Sequence, residues 1–313
     1  MKRYTRVLIL LILHVGSMRS IKRLVYGWRD SDAATYRQCY EQYGGSINMH
    51  PDVLDFVTEK TGQRIRYFQR QEQGEIVGGY AVLDDKYVGA RVWKKYPISY
   101  DDVMLPLAEK CRAMFPERCN RISPALRNNL ININYRVARK GTVCIVKDDF
   151  SAKTENNRRN EFRKFVAAGG SCVDQIQFSA AELAEIYMHL FNARFAGEVR
   201  CHDKADLTAI IEELRHLVFG NILLINEKPC AMDLVFYAES ANMVYFDVPN
   251  GGVDPAWSHL SPGSLLMWKN IQSAREYCAR KQKKMIFSIG ALEKKWAYKL
   301  RWANVHKTGK PLF

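Results

Sequence analysis

Ser261-Pro262-Gly263-Ser264 heads a run in which Leu265, Leu266, Trp268, Ile271, Ala274 and Ala279 recur at helical spacing, and the lysine-rich stretch Glu293-Lys294-Lys295-Trp296 follows it. A cap-type serine before a proline predicts that a helix starts there. The first amides of a helix lack partners inside it and carry the positive end of its macrodipole. An anion such as a pyrophosphate would therefore be stabilised beside Gly263 and Ser264. The chemistry indicated is phosphate binding, although an ordinary strand-loop-helix connection has the same spacing.

The elements around this point follow from short-range patterns. Asn242 to Val248 is β-branched and aromatic and is halted by Pro249 and glycines, so it predicts a strand followed by a loop over Pro249 to Pro255. Met285 to Ile289 predicts another strand, closed by Gly290. Upstream, Asn156 to Ala168 predicts a basic-faced helix with Phe162, Phe165 and Val166 inward, and Glu182 to Phe195 a second helix. Leu217 to Ile225 and Lys228 to Ala238 then precede the Asn242 strand as an antiparallel set with tight turns. In the first half, a helix runs through Tyr36, Tyr40 and Tyr43. Gln63 to Phe68 and Ile76 to Leu83 form a hairpin about Gln71 to Glu75, and the meander continues to Val88.

A chain of 313 residues, 47% hydrophobic, can bury a large core and divides most naturally into two units. Its net charge of +14 is concentrated at the ends. Residues 1–29 hold seven Lys or Arg and no acid, residues 281–313 hold nine against Glu293 alone, and the stretch between is nearly neutral. A protein that coats nucleic acid spreads basic residues over a broad face, so no specific DNA partner is expected. Two separate anionic partners, a membrane surface and a phosphate-bearing ligand, fit the distribution better, as would two basic ends that only aid solubility. The eight cysteines form no Cys-x-x-Cys pair and lie in apolar or helical surroundings such as Val143-Cys144-Ile145, which suits reduced buried thiols. Cys201-His202-Asp203 has no second Cys or His group at ligand spacing, so no metal is expected.

At the start, Lys2, Arg3 and Arg6 precede the apolar run Val7 to Leu13, which is too short to span a bilayer of about 20 helical residues. Val15-Gly16-Ser17 resembles a cleavage site, but Arg19, Lys22 and Arg23 follow and oppose transfer, so retention on the cytoplasmic side is expected. Either Met1 or Met18 serves as a start. Ile21, Leu24, Val25 and Trp28 recur at helical spacing with Arg19, Lys22, Arg23 and Arg29 opposite them. Such a helix either lies in the interface of an anionic membrane or docks on the protein's own core.

The order Tyr245-rich strand, Asp254-Pro255, Ser261-Pro262-Gly263-Ser264-Leu265-Leu266, helix, strand, Gly290 and Lys299-Leu300-Arg301-Trp302 resembles the FemAB/BioF2-like branch of the acetyltransferase (GNAT) superfamily. The whole chain resembles the macrophage-inducible (Mig-type) antimicrobial-peptide resistance proteins of enteric bacteria, which associate with the inner membrane. The resemblance implies an α/β (α+β) chain of tandem acetyltransferase-like domains, each a mixed, mostly antiparallel sheet flanked by helices. Residues 1–30 would form a membrane-associating segment, 31–150 a degenerate first domain and 151–313 the second.

It also implies transfer of an acyl or aminoacyl group, from a coenzyme A thioester or an aminoacyl-tRNA, to an envelope component or a cationic peptide. Ser261, Gly263 and Ser264 would cradle the donor's phosphates and Lys294, Lys295 and Lys299 would neutralise them. Tyr298 would protonate the leaving group, Asp247 or Asp254 would receive the acceptor's proton, and Tyr245 and Trp257 would line the acceptor cleft or fill the core. Relatives carry an acid in the last strand just before the glycine. Ser288 stands there in this chain, which implies either an altered enzyme or a non-catalytic descendant kept as a binding or regulatory protein.

Overall fold

The computed structural model describes residues 18–136 and 141–313. The expectations for Lys2 to Ser17 lie outside the described residues. Helical residues 18–25, α1, lead into β1 (Trp28–Ser31), α2 (Ala33–Tyr43) and α3 (Pro51–Thr61). Asp32 caps α2 by accepting from the Thr35 amide, and Pro51 stands at the head of α3 where its missing N–H costs nothing. The expected hairpin is β2 (Ile65–Glu72) with β3 (Glu75–Leu83), and β4 (Tyr87–Val88) completes an antiparallel sheet in the order β1-β2-β3-β4. Gln73 and Gly74, both at positive φ, form its tight turn.

After β4 the chain runs through turns and isolated bridges to β5 (Ile133–Asn134), and then enters a sheet of eight strands. Its members are β6 (Thr142–Val146), β7 (Gly170–Asp174), β8 (Val218–Phe219), β9 (Asn221–Ile225), β10 (Lys228–Glu239), β11 (Met243–Val253), β12 (Lys284–Ser288) and β13 (Ala303–Lys307). Seven of these lie in the order β13-β6-β12-β11-β10-β9-β7, with β8 on β10. Thr142–Val146 precedes residue 150 in the chain, yet it pairs with β12 and β13 of this sheet. The helices flanking the sheet are α4 (Ala152–Ala167), α5 (Ala180–Phe195), α6 (Lys204–Glu213) and α7 (Pro262–Lys281), and β14 (Lys310–Pro311) returns to pair with β5.

Burial explains the helices. In α7, Leu265, Leu266, Trp268, Ile271, Ala274 and Cys278 are buried at three- and four-residue intervals against the sheet. A Ser179–Glu182 capping box starts α5. Val166, expected inward on α4, is 49% exposed: Phe165 and the half-buried Phe162 fill the space under that helix, and Val166 lies round from them. One continuous core joins residues of α2, α3, β2 and β3 to residues of α5, α6, β10 and β11, so the two halves share it.

Candidate acyl-transfer site

Among the described residues every pairing in the large sheet is antiparallel except that of β11 with β12, whose parallel register runs from Met243 opposite Lys284 to Asp247 opposite Ser288. The crossover that parallel neighbours require is α7. Beyond Asp247 the pairing stops: β12 ends at Ser288, whereas β11 continues to Val253 on β10 alone. The sheet therefore opens in its middle. At that point two β11 residues, Val248 and Pro249, stand against Val235, a bulge that bends the strand and accommodates the proline. Pro249 to Val253, expected as a loop, is therefore strand. Its glycines serve close approach: a side chain at Gly252 would meet the α5 backbone at Leu190 within 2.3 Å, and one at Gly251 would meet Asp233.

α7 begins beside this extension. Its cap residue Ser261 makes no side-chain cap bond and its first turn carries no acid, so the helix end stays electropositive. Ser261 is exposed, and Gly263 and Ser264 are half-buried. A Cβ at Gly263 would stand 2.9 Å from the Val253 side chain, so this glycine lets the helix end pack on β11. Arg301, which follows β12, donates to the Ser264 hydroxyl at 3.2 Å. A serine hydroxyl, a helix end and a guanidinium thus share one place, and these residue types suit a phosphate.

Below the opening lies a group of buried acids. Asp247 is buried on β11, and burial followed by the nearby Asp101 carboxylate pushes its carboxyl up to about 8, with the Ser288 hydroxyl acting the other way. Asp102, also buried, accepts from Tyr245 at 2.8 Å and Ser123 at 3.1 Å through one oxygen, while its other oxygen has no partner, and burial raises it to about 6. Asp101 accepts from the Ala291 amide at 2.9 Å, and Lys299 donates to the Ala291 carbonyl at 2.8 Å. Burial lowers the Lys299 ammonium, partly offset by Cys144, Asp101 and Asp247.

This placement corrects the assignment of Lys299 to the phosphate cradle. It is buried with its ammonium on the Ala291 carbonyl and beside Gly290, because its three-ten turn (Lys294–Arg301) folds back over that glycine. Lys294 and Lys295 are exposed. Tyr298, 44% exposed, accepts from Arg194 of α5 at 3.4 Å, and the same guanidinium holds the Gly251 carbonyl at 2.9 Å. Asp254 caps the turn Pro255–Leu260 by accepting from the Ala256 amide. Tyr245 is a core ring whose hydroxyl serves Asp102, and Trp257 packs half-buried beside Leu260. His202 contacts the Trp93 carbonyl at 2.9 Å, and no group of three metal-binding side chains occurs among the described residues.

Two of the expected lipid contacts are structural. α1 ends at Val25, so Trp28 falls in β1, where it is 2% exposed and donates to the Met114 carbonyl at 2.8 Å. Arg23 is buried over the Phe68 ring and pairs with Glu117 at 2.6 Å. Arg19 reaches the Asp85 carbonyl, and Lys22 lies 4.2 Å from the Phe313 ring centre. The helix thus turns its basic residues toward the protein and leaves Ile21, Leu24 and Val25 at 57%, 72% and 72% exposure. Among the described residues no helix is long and apolar enough to cross a membrane.

Sequence reasoning missed Asp101, Asp102, Arg194 and Arg301. An acidic doublet inside the apolar stretch Pro97 to Pro106 was the available signal for the first two. Arg194 had none, since a basic residue in the last turn of a helix is ordinary.

A family model described as Mig-14 matches residues 50–310. No curated protein matches the sequence. Among solved structures, FemX superposes with a TM-score of 0.58 at 9% identity, covering 91% of this chain and 97% of its own. L-PGS from Bacillus licheniformis is more distant, with a TM-score of 0.43 at 11% identity, covering 90% of this chain and 92% of its own. A tandem GNAT protein from the clavulanic acid biosynthesis pathway has a TM-score of 0.39 at 8% identity, covering 90% and 95%. The FemX likeness extends over nearly all of both chains, and the fold is the tandem acetyltransferase-like arrangement of the FemAB branch.

Proposed function

The chain belongs to the Mig-14 family, and we propose that it transfers an acyl or aminoacyl group, from a coenzyme A thioester or an aminoacyl-tRNA, to an amine or hydroxyl of an envelope component or a cationic peptide. The observation that carries this reading is the parting of β11 and β12 immediately beyond Asp247, with an electropositive helix end beside the gap. The Ser261–Ser264 turn and Arg301 hold the donor's phosphate. Asp247 takes the acceptor's proton as the acceptor nitrogen or oxygen bonds to the donor carbonyl carbon. Tyr298, oriented by Arg194, gives its proton to the departing sulfur or oxygen as that bond breaks. A base pushed up to about 8 is strong enough to relieve an amine of its proton during attack.

The neutral Ser288 does not leave this region without acid. Strand register sets Asp247 directly beside it, and a Cβ at Gly290 would stand 3.0 Å from the Asp101 carboxylate. The carboxyl group that relatives place in the last strand is supplied here from β11 and from the first half of the chain. Ser288 also favours a second reading, in which the protein binds a donor without turning it over. The biological setting we propose is the cytoplasmic side of the inner membrane, where transfer supports antimicrobial-peptide resistance. The exposed apolar face of α1 supports the location, which co-sedimentation with membranes tests.

Thermal-shift titration with coenzyme A, acetyl-coenzyme A and aminoacyl-tRNA tests donor binding, since a ligand of the folded state raises Tm by mass action. Ser264→Glu is the control, because Gly263→Glu would also press on Val253. A shift lost in Ser264→Glu supports the cradle. No shift with any donor rejects both readings, and a shift without product favours the binding protein.

A further inference from the structure

A cavity of about 590 Å³ opens on the outer face of the edge strand β13, on the far side of β6 from the gap between β11 and β12. Among the described residues, Arg127, Arg136, His306 and Lys307 line it, and no acidic residue does. None of the four has a carboxylate within ion-pair distance among the described residues, whereas Arg23, Arg37, Arg66 and Arg70 of the first half each have one. Arg127 lies over the Tyr135 ring, 5.0 Å from its centre, so its guanidinium is held in place. Uncompensated cations converging on one concavity attract an anion, and a guanidinium fork suits a phosphate oxygen pair.

The surroundings select the kind of phosphate. Leu312 also lines the cavity, and its neighbour Phe313 meets α1 through Lys22. Leu312 and Phe313 are each 56% exposed, and across that contact Ile21, Leu24 and Val25 are exposed as well. A basic cavity joined to protruding apolar side chains is complementary to a bilayer surface, with headgroup phosphate outside and acyl chain within. We propose that this is a lipid-contact face, in which the phosphodiester of an anionic phospholipid seats among Arg127, Arg136, His306 and Lys307 while Ile21, Leu24, Leu312 and Phe313 enter the acyl boundary. This rests on the membrane location proposed above and changes its basis: the anchoring charge lies in the cavity, and α1 contributes its apolar side.

Flotation of the full chain with vesicles tests it, comparing phosphatidylcholine alone with phosphatidylcholine containing phosphatidylglycerol. Wild type is expected to prefer the anionic vesicles by about tenfold or more, since each basic residue near such a surface is worth about 1 kcal/mol. Arg136→Gln with Lys307→Gln, both exposed positions, removes that preference while weak binding to both vesicles remains. Leu312→Ser with Phe313→Ser weakens binding to both. Melting curves and the donor-induced shift should be unchanged in each variant, which separates this face from the transfer site. If wild type floats with neither vesicle, the membrane location falls and this face with it. If wild type prefers anionic vesicles and the double Gln variant does too, the location stands and the cavity is overturned. Full competition by millimolar inorganic phosphate would assign the cavity to a soluble anion instead. Binding of tRNA lost in the double Gln variant, without vesicle binding, would assign it to RNA. Either result overturns the lipid.

Discussion

The four-stranded sheet of the first half and the eight-stranded sheet of the second contribute differently to one site. The larger sheet is regular, and its opening is made locally, by one parallel pair, one bulge and one crossover helix. The smaller sheet ends at Val88. The chain after it is held by bridges such as Val103 to Ile122 and by side-chain amides, Asn129 on three carbonyls and Asn132 on both groups of Phe115. From that irregular segment come Asp101 and Asp102. One half supplies the frame and the other supplies charge to its buried floor, so the second half alone would be a fold with an incomplete site.

The sharpest way to break this comparison is Asp247→Asn. The amide keeps the shape and loses the base, and transfer should fall by about 10²- to 10⁴-fold with donor binding retained. The rate of wild type should rise with pH through about 8, and the variant should lose that rise. If Asp102→Asn matched its loss of turnover, the first half's acid would be as necessary as the second's. Full activity in Asp247→Asn would mean that the acids are structural and the gap is not where protons move.

Arg23→Gln tests the first half in isolation. The substitution strands Glu117, which is 4% exposed at its side chain and also accepts from Tyr80 at 3.1 Å. Breaking one side of such a buried pair costs about 3–5 kcal/mol. The expected result is a lowered Tm in the small sheet's region; a stable protein released from membranes would instead restore Arg23 as a lipid contact.

How much of this was legible follows the same division. The hairpin at Gln73-Gly74, the start of α7 and the order of strands in the second half are written in neighbouring residues, and pattern reading found them. Pro249 to Val253 misled because Pro and Gly usually end strands, whereas here a bulge takes the proline and α5 presses on Gly252. Lys299 and Arg23 misled because a lysine or arginine in a basic run is normally solvated, and only tertiary contacts show that both are buried. The likeness to the FemX fold was legible from motifs, while the acids of the first half sit far away in sequence and belong to no motif.

Stability against pH sharpens the comparison at smaller scale. Asp102 and Asp247 are raised from the ordinary carboxylate range to about 6 and about 8. Between their unfolded and folded values the folded protein holds protons that the unfolded chain has released, so what these two groups contribute to stability is full below about pH 4 and declines as pH rises to about 6 for Asp102 and about 8 for Asp247. Wild type should therefore melt lower at pH 9 than at pH 6. Asp247→Asn should flatten that decline, on the order of a few degrees. Equal slopes in the two proteins would place Asp247 in water.

The smallest expected effect is at Arg301, which joins the cradle from beyond β12. Its hydrogen bond to Ser264 is exposed, so the folded protein should lose little when Arg301 becomes Gln. A donor phosphate seated at the helix end would lose one charged partner, and affinity should fall by about 3- to 10-fold. Arg301→Lys should not restore it fully, because an ammonium cannot hold a hydroxyl and a phosphate oxygen in the fixed geometry of a fork. Donor titration by thermal shift measures all three proteins. Unchanged affinity in Arg301→Gln alongside loss in Ser264→Glu would confine the donor's phosphate to the helix end, and the contribution of the turn after β12 would then be to hold Lys299 among the buried acids.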